Sequence, residues 1–258
     1  MTELPVPSKV DTSIKRRGIL VDITKCIGCG ACYEACQESN KQPKHEPKHF
    51  DENSFTYLMD RGNDVYVRRL CMHCREPTCV SVCPVTALEK TKEGPVTYNP
   101  DKCMGCRYCM IACPFSVPAY EWHSVTPRVR KCEMCAHRQN GIGPACAEAC
   151  PTGATITGEL ENLIADAKQR VTSDPKTYYQ YVYGLQEVGG TSVLYIGPKR
   201  PAELGLPHVP MDQPMPLYTW NALKHVPDVL VFGGVLLGGL WWLTKRKEEV
   251  AAAERPES

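Results

Sequence analysis

A chain of 258 residues has room for one large domain or two small ones, and its 30 Lys and Arg nearly cancel its 29 Asp and Glu to leave a net charge of +1. That balance excludes the basic footprint of a nucleic-acid or anionic-lipid binder. Its 43% hydrophobic residues include the cysteines and only four Phe and four Trp, so an apolar core of ordinary size is not expected. With 22 prolines and 19 glycines besides, something other than greasy packing is expected to hold much of the chain together.

In chain order, the N-terminus shows no apolar leader or cleavage site, and Arg16-Arg17 is a lone pair. Residues 18–23 form a short apolar run that delivers Cys26, Cys29, Cys32 and Cys36, spaced C-x2-C-x2-C-x3-C. Residues 41–49, KQPKHEPKH, are polar, proline-broken and read as a solvated loop. A second run, 65–70, leads into Cys71, Cys74, Cys79 and Cys83, spaced C-x2-C-x4-C-x3-C. Residues 95–98 are a strand candidate before Cys103, Cys106, Cys109 and Cys113, which repeat the first spacing. Cys132, Cys135, Cys146 and Cys150 follow C-x2-C-x10-C-x3-C, with a further strand candidate at 154–157. Residues 159–171 place Leu160, Ile164 and Ala167 at helical spacing, with an acidic start and a basic end.

The four quartets use all sixteen cysteines. A disulfide scaffold and zinc are the alternatives, and four complete quartets of this spacing weigh against both. A short C-x2-C-x2-C loop can wrap three thiolates around three iron corners of one cubane. The fourth cysteine is expected to begin a helix that leads away, and in two-cluster ferredoxins it ligates the other cluster. Proline follows that cysteine in three quartets, as Pro84, Pro114 and Pro151; in the first, Gln37 stands there.

The stretches CIGCGACYEAC (26–36), CMHCREPTCVSVCP (71–84), CMGCRYCMIACPFSVPAY (103–120) and KCEMCAHR (131–138) resemble the four-cluster iron–sulfur beta subunits of respiratory membrane-bound formate dehydrogenases and nickel–iron hydrogenases. VGGTSVLYIG (188–197) and the hydrophobic tail also resemble that family. The short loop after Cys135 is closer to the formate dehydrogenase form, whereas CVSVCPV and GCRYCMIACP are closer to the hydrogenase form, so the catalytic partner stays open between them.

What the resemblance implies is an α+β fold of two bacterial ferredoxin-like [4Fe–4S] lobes, quartets 1+4 and 2+3, plus one C-terminal transmembrane helix. It implies four [4Fe–4S] clusters with crossed ligands. One takes Cys26, Cys29, Cys32 and Cys150; a second takes Cys132, Cys135, Cys146 and Cys36. The third takes Cys71, Cys74, Cys79 and Cys113, and the last takes Cys103, Cys106, Cys109 and Cys83. The alternative is that each quartet holds its own cluster. The expected segments are an N-terminal extension (1–17), a first lobe in two parts (18–60 and 125–158) enclosing a second (61–124), a helix and strand extension (159–216), a membrane lead-in and helix (217–247) and a tail (248–258).

No catalytic centre is expected, because the chain carries neither a Rossmann fingerprint nor a P-loop lysine. His73 and His123 could tune cluster potentials through hydrogen bonds, and His225 could border a haem or quinone site in a partner. Arg107, Arg130 and Lys131 could offset cluster charge, since four oxidised clusters with their thiolates would take the net charge to roughly −7. Ordinary structural or solvated roles are open for each.

Residues 229–244, VLVFGGVLLGGLWWLT, carry no charge and end in two tryptophans, followed by Lys245, Arg246 and Lys247. This reads as a single membrane span, with 217–225 as an amphipathic lead-in; a buried soluble helix is the alternative. The basic stop favours a cytoplasmic C-terminus and a cluster domain on the periplasmic face of a bacterial inner membrane. The function expected from the resemblance is electron transfer between two partners. One is a catalytic oxidoreductase subunit with molybdenum, tungsten or nickel–iron; the other is an integral membrane subunit binding quinone or haem. The alternatives are electron donation to a quinol-dependent reductase and a stand-alone iron–sulfur enzyme or sensor. No nucleic-acid partner is expected.

Overall fold

The computed structural model describes residues 15–138 and 143–253. Most of the N-terminal extension, the middle of the loop between Cys135 and Cys146, and the end of the tail lie outside the described residues.

Strand β1 (Arg17–Asp22) leads through a 3-10 turn into the first quartet, and α1 (Ala31–Ser39) leaves it. An antiparallel hairpin of β2 (Thr56–Asp60) and β3 (Tyr66–Leu70) ends at Cys71. Around the second and third quartets lie α2 (Thr78–Ser81), the hairpin of β4 (Leu88–Lys90) and β5 (Val96–Tyr98), and α3 (Tyr108–Ala112). The pair β6 (Ala119–Tyr120) and β7 (Val129–Arg130) precedes the fourth quartet, where α4 (Ala145–Glu148) forms. Then come β8 (Thr155–Glu159), α5 (Leu160–Ser173), β9 (Val193–Ile196), α6 (Met215–Leu223) and α7 (Val226–Ala253).

Proline explains the helix lengths. The residue before a proline is disfavoured in the helical region, and α2, α3 and α4 stop after four or five residues, ahead of Pro84, Pro114 and Pro151. Where Gln37 replaces proline, α1 runs on to nine residues. Gln37 is buried there, and its Nε2 donates to the His45 carbonyl at 2.8 Å, tying down the otherwise solvated loop 41–49. Helix α1 packs on α4, and α2 on α3.

Strand β1 is central in a three-stranded sheet, antiparallel to β8 and parallel to β9. Both faces of that sheet are covered, so β1 reads as a continuous apolar run rather than an alternating one. Ile19 and Val21 enter one core with Val67, Leu70, Phe115, Val193 and Tyr195, while Leu20 faces α5. Helix α5 buries Leu160, Leu163, Ala167 and Val171, a stripe that leaves the expected Ile164 half-buried at its edge. One further contact fixes it: Arg170, paired with Asp166 of the same helix at 2.7 Å, reaches the buried Asp22 at 3.2 Å.

The expectation of a meagre apolar core needs correction. Residues after the last cysteine supply Tyr183, Val188, Val193, Tyr195, Leu204 and Leu206 to a large buried cluster that also takes in Cys71. The low aromatic count misled because β-branched and leucine side chains do most of the filling, beside tyrosines.

The chain divides after Met215 into two units. The second contains the remainder of α6 and all of α7. The apolar residues of α6 lie on more than one face, Leu217, Tyr218, Trp220 and Leu223 among them, so no single greasy stripe forms. At ~1.5 Å per residue the 28 residues of α7 extend about 42 Å, well past the span read from 229–244. The stretch Met215–Val250 is long and apolar enough to cross a membrane, its most apolar 18 residues having a mean hydropathy of 1.7. Phe232 is 74% exposed and Trp241 62%, and the Lys245 ammonium lies 5.0 Å from the Trp241 ring.

Candidate iron–sulfur centres

The cysteine loops share one backbone device. The residue before the second cysteine has a left-handed φ in all four quartets: +71° at Gly28, +46° at His73, +73° at Gly105 and +53° at Met134. Such a reversal turns successive N–H groups toward one point, making a concavity suited to an anion. Glycine takes this conformation freely. His73 and Met134 pay a strain on the order of 1–2 kcal/mol there, and both are buried, at 0% and 1% exposure.

At Gly28 the requirement is steric as well, because a Cβ would fall 2.7 Å from ring carbons of Tyr66, whereas at Gly105 it would meet the Tyr120 hydroxyl at 3.1 Å. Gly28→Ala is therefore expected to cost more than Gly105→Ala, by about 1–2 kcal/mol, from overpacking added to strain. Denaturant midpoints of the two variants check this; equal losses would refute it.

All sixteen cysteines are free. Cys26, Cys29 and Cys32 line one cavity together with Cys150, walled by Val21, Ile27 and Leu58. Cys103, Cys106 and Cys109 line another with Cys83, walled by Leu88, Tyr98 and Val129. Cys74 lies close enough to feel the charge of Cys71, Cys113 and Cys79. Cys36 likewise feels Cys146 and Cys135, and Cys132 feels Cys36 and Cys146. Electrostatic influence also passes between these gatherings in sequence: Cys32 feels Cys146, Cys132 feels Cys71, and Cys79 feels Cys109.

Among the described residues no three His, Cys, Asp or Glu side chains converge closely enough for a single metal ion. Tetrahedral zinc would hold its thiolates roughly 3.8 Å apart. A cubane binds each thiolate at a different iron and needs a wider set, so thiols gathered around apolar-walled cavities fit the cluster and not the ion.

Burial pushes the Cys36 and Cys79 thiols up to about 12 and Cys109 to about 11. It drives Cys74 and Cys132 well above the ordinary thiol value. Iron loading must therefore displace protons from these sulfurs. Two cysteines go the other way. Burial opposes ionisation at Cys150, but bonds from the Thr155 N–H and the Thr152 hydroxyl outweigh it; at Cys103 the nearby polar groups of Tyr98, Gly105 and Val129, with the Arg128 charge, outweigh burial. Backbone N–H groups also reach sulfur from Ala87 to Cys83 at 3.2 Å and from Met134 to Cys132 at 3.3 Å.

The other residues singled out in the sequence have divergent surroundings. His73 is buried, its Nδ1 accepts from the Val96 N–H at 2.9 Å, and burial with Lys131 and Lys90 nearby holds the ring well below its ordinary pKa. His123 is exposed on a turn, and His225 lies between α6 and α7. Arg107 stacks over Tyr120 and Trp122 at 5.4 and 5.3 Å, while Arg130 pairs with Glu121 at 3.5 Å. Lys131 is 3% exposed and donates to the Val96 and Cys132 carbonyls. Sequence reasoning missed Arg68, a buried arginine that lines the first cavity. The available signal was RR inside the apolar run before Cys71, since a strand buried at that point must turn one of them inward.

Short strands and helices around loops that gather thiols in fours define a ferredoxin-like iron–sulfur protein. Two stretches, residues 16–88 and 63–160, each match the 4Fe-4S dicluster domain family. The hydrogenase-2 operon protein HybA of Shigella flexneri is 34% identical over 89% of this chain and 84% of its own length. The formate dehydrogenase iron-sulfur subunit of Haemophilus influenzae is 33% identical, over 84% and 77%. The menaquinone reductase iron-sulfur cluster-binding subunit of Nitratidesulfovibrio vulgaris is 34% identical, over 63% and 87%. This chain belongs to that family of oxidoreductase iron–sulfur subunits.

Proposed function

We propose that this chain is an electron-transfer subunit holding four [4Fe–4S] clusters between a catalytic oxidoreductase subunit and a quinone-reactive membrane subunit. The observation that carries the reading is the company kept by two cysteines: Cys150 lines the cavity of Cys26, Cys29 and Cys32, and Cys83 that of Cys103, Cys106 and Cys109. The ligand sets are then crossed, as in two-cluster ferredoxins. Cys26, Cys29, Cys32 and Cys150 hold the first cluster, and Cys36, Cys132, Cys135 and Cys146 the second. Cys71, Cys74, Cys79 and Cys113 hold the third, with Cys83, Cys103, Cys106 and Cys109 holding the fourth. Quartets 1 and 4 make one lobe around a lobe of quartets 2 and 3, in the segments expected from the sequence; the packing of α1 on α4 and α2 on α3 supports this.

A bound cluster supplies one-electron chemistry, with no atom transferred to a substrate. The chain's part is to fix the sulfurs, exclude water with apolar walls and aim N–H groups at the sites. The adjacency of Cys32 with Cys146, Cys132 with Cys71, and Cys79 with Cys109 supports a linear order of the four sets. Cys29 and Cys106, in the two terminal sets, are exposed, which suits contact with a partner at each end.

The partner's chemistry is formate dehydrogenase or hydrogenase in type, by likeness to relatives bearing those names. Helix α7 anchors the chain in a bacterial inner membrane, with the cluster unit periplasmic and the C-terminus cytoplasmic by the basic stop after Trp242. The likeness to a menaquinone reductase subunit favours a second reading, in which electrons run from quinol toward a reductase.

Anaerobic purification in mild detergent tests the proposal. The chain is expected to copurify with a metal-bearing catalytic subunit and an integral membrane subunit, carrying about sixteen iron and sixteen sulfide. Fully reconstituted protein limited to eight iron, or holding zinc, would sink it.

A further inference from the structure

Strand β3 brings a positive charge to the place where two sets of cysteines meet. Arg68 is 2% exposed. Its Nε donates to Thr56 Oγ1 at 2.9 Å and its Nη1 to Thr155 Oγ1 at 3.2 Å, so hydroxyls from β2 and β8 fix the guanidinium. Among the described residues it forms no ion pair with a carboxylate.

What faces Arg68 is sulfur. It lines the cavity of Cys26, Cys29, Cys32 and Cys150, and it lies beside Cys146 of the neighbouring set. Its charge also reaches Cys26 and Cys32 on one side and Cys36 on the other. A buried guanidinium without a counter-charge is strongly unfavourable. Neutral thiols cannot supply that charge, whereas a cubane with four thiolates is a net anion. Lys131, the other buried cation named above, is differently placed: its ammonium is taken up by the backbone carbonyls of Val96 and Cys132.

We propose that Arg68 is a positioning residue shared by the first and second clusters, whose fixed charge holds up the reduction potentials of both. Adding an electron to an anionic cluster is easier beside a fixed cation, and a dry site leaves that attraction unscreened. The inference rests on the ligand sets proposed above.

The test is Arg68→Met and Arg68→Lys in the intact complex, with redox titration followed by electron paramagnetic resonance. The two signals are identified as those altered by Cys32→Ser and by Cys146→Ser. In Arg68→Met the reduced-to-oxidised ratio of both clusters at a fixed ambient potential should fall at least tenfold, about 59 mV for a one-electron couple. The other two clusters should change less than twofold, and Arg68→Lys should keep all four near native. A Met variant with full iron content and unmoved midpoints, or with all four clusters moved alike, would overturn the proposal. Should the Met variant assemble less iron, the Lys variant decides. Full iron with native midpoints supports the proposal; loss of iron or of either midpoint despite the retained charge overturns it. Failure of the ligand sets would show separately, as Cys32→Ser and Cys146→Ser altering one and the same signal.

Discussion

Cys83→Ser is expected to alter the same cluster signal as Cys109→Ser, and Cys113→Ser the same signal as Cys79→Ser. Serine offers a harder and weaker donor than thiolate, so the affected cubane should lose one iron or all four, or shift its potential. The expectation comes from the walls of one cavity, where Cys83 stands with the three cysteines that follow it by twenty residues or more. Cys79, by contrast, lies close to Cys71 and Cys113. Redox-titrated electron paramagnetic resonance of the four variants separates the cases. If Cys83→Ser matched Cys79→Ser, each quartet would own its cluster and the nested lobes would have to be abandoned.

Deleting residues 226–258 should move the protein from the membrane to the soluble fraction once its partners are stripped away. The span 229–244 contains nine Val, Leu and Phe residues, which favour insertion by roughly 4 kcal/mol in all, or about a thousandfold in partition. Helix α7 belongs to the second of the two units, and no cysteine lies beyond Cys150, so iron content should hold at its full value. A truncated chain that stayed with stripped membranes would show that α7 is not the anchor. Loss of iron on truncation would show that it is also part of the cluster unit's fold.

What was legible in the sequence was local. The quartets could be read because three ligands of each set lie within a few residues of one another in three of the four, and α5 because its apolar stripe repeats within a single helix. The expectation that the fourth cysteine of each quartet begins a helix is not met: α2, α3 and α4 end before Cys83, Cys113 and Cys150, where the following proline disfavours helix. The hairpin strand β2 was missed. Its pairing with β3 spans a loop whose polar residues, Arg61 to Asp64, gave no two-residue turn signature. The place of β9 beside β1 was equally hidden, because nothing near Val193 in sequence names Ile19 as its neighbour. Arg68 stayed invisible for a related reason: its worth depends on Thr155 and Cys146, both from the far end of the cluster region.

The position of β1 has a consequence for how the chain is made. Its residue Ile19 pairs with Thr157 on one side and Val193 on the other. The strand that presents the first cysteines is therefore locked only after residue 196 has been synthesised, while the β2–β3 and β4–β5 hairpins pair strands only a few residues apart in sequence. Such distant pairing is slow to form. On a growing chain, the thiols made first are the ones whose sheet is completed last. An oxidant that meets the half-made chain therefore meets Cys26, Cys29 and Cys32 before their strand is locked in place.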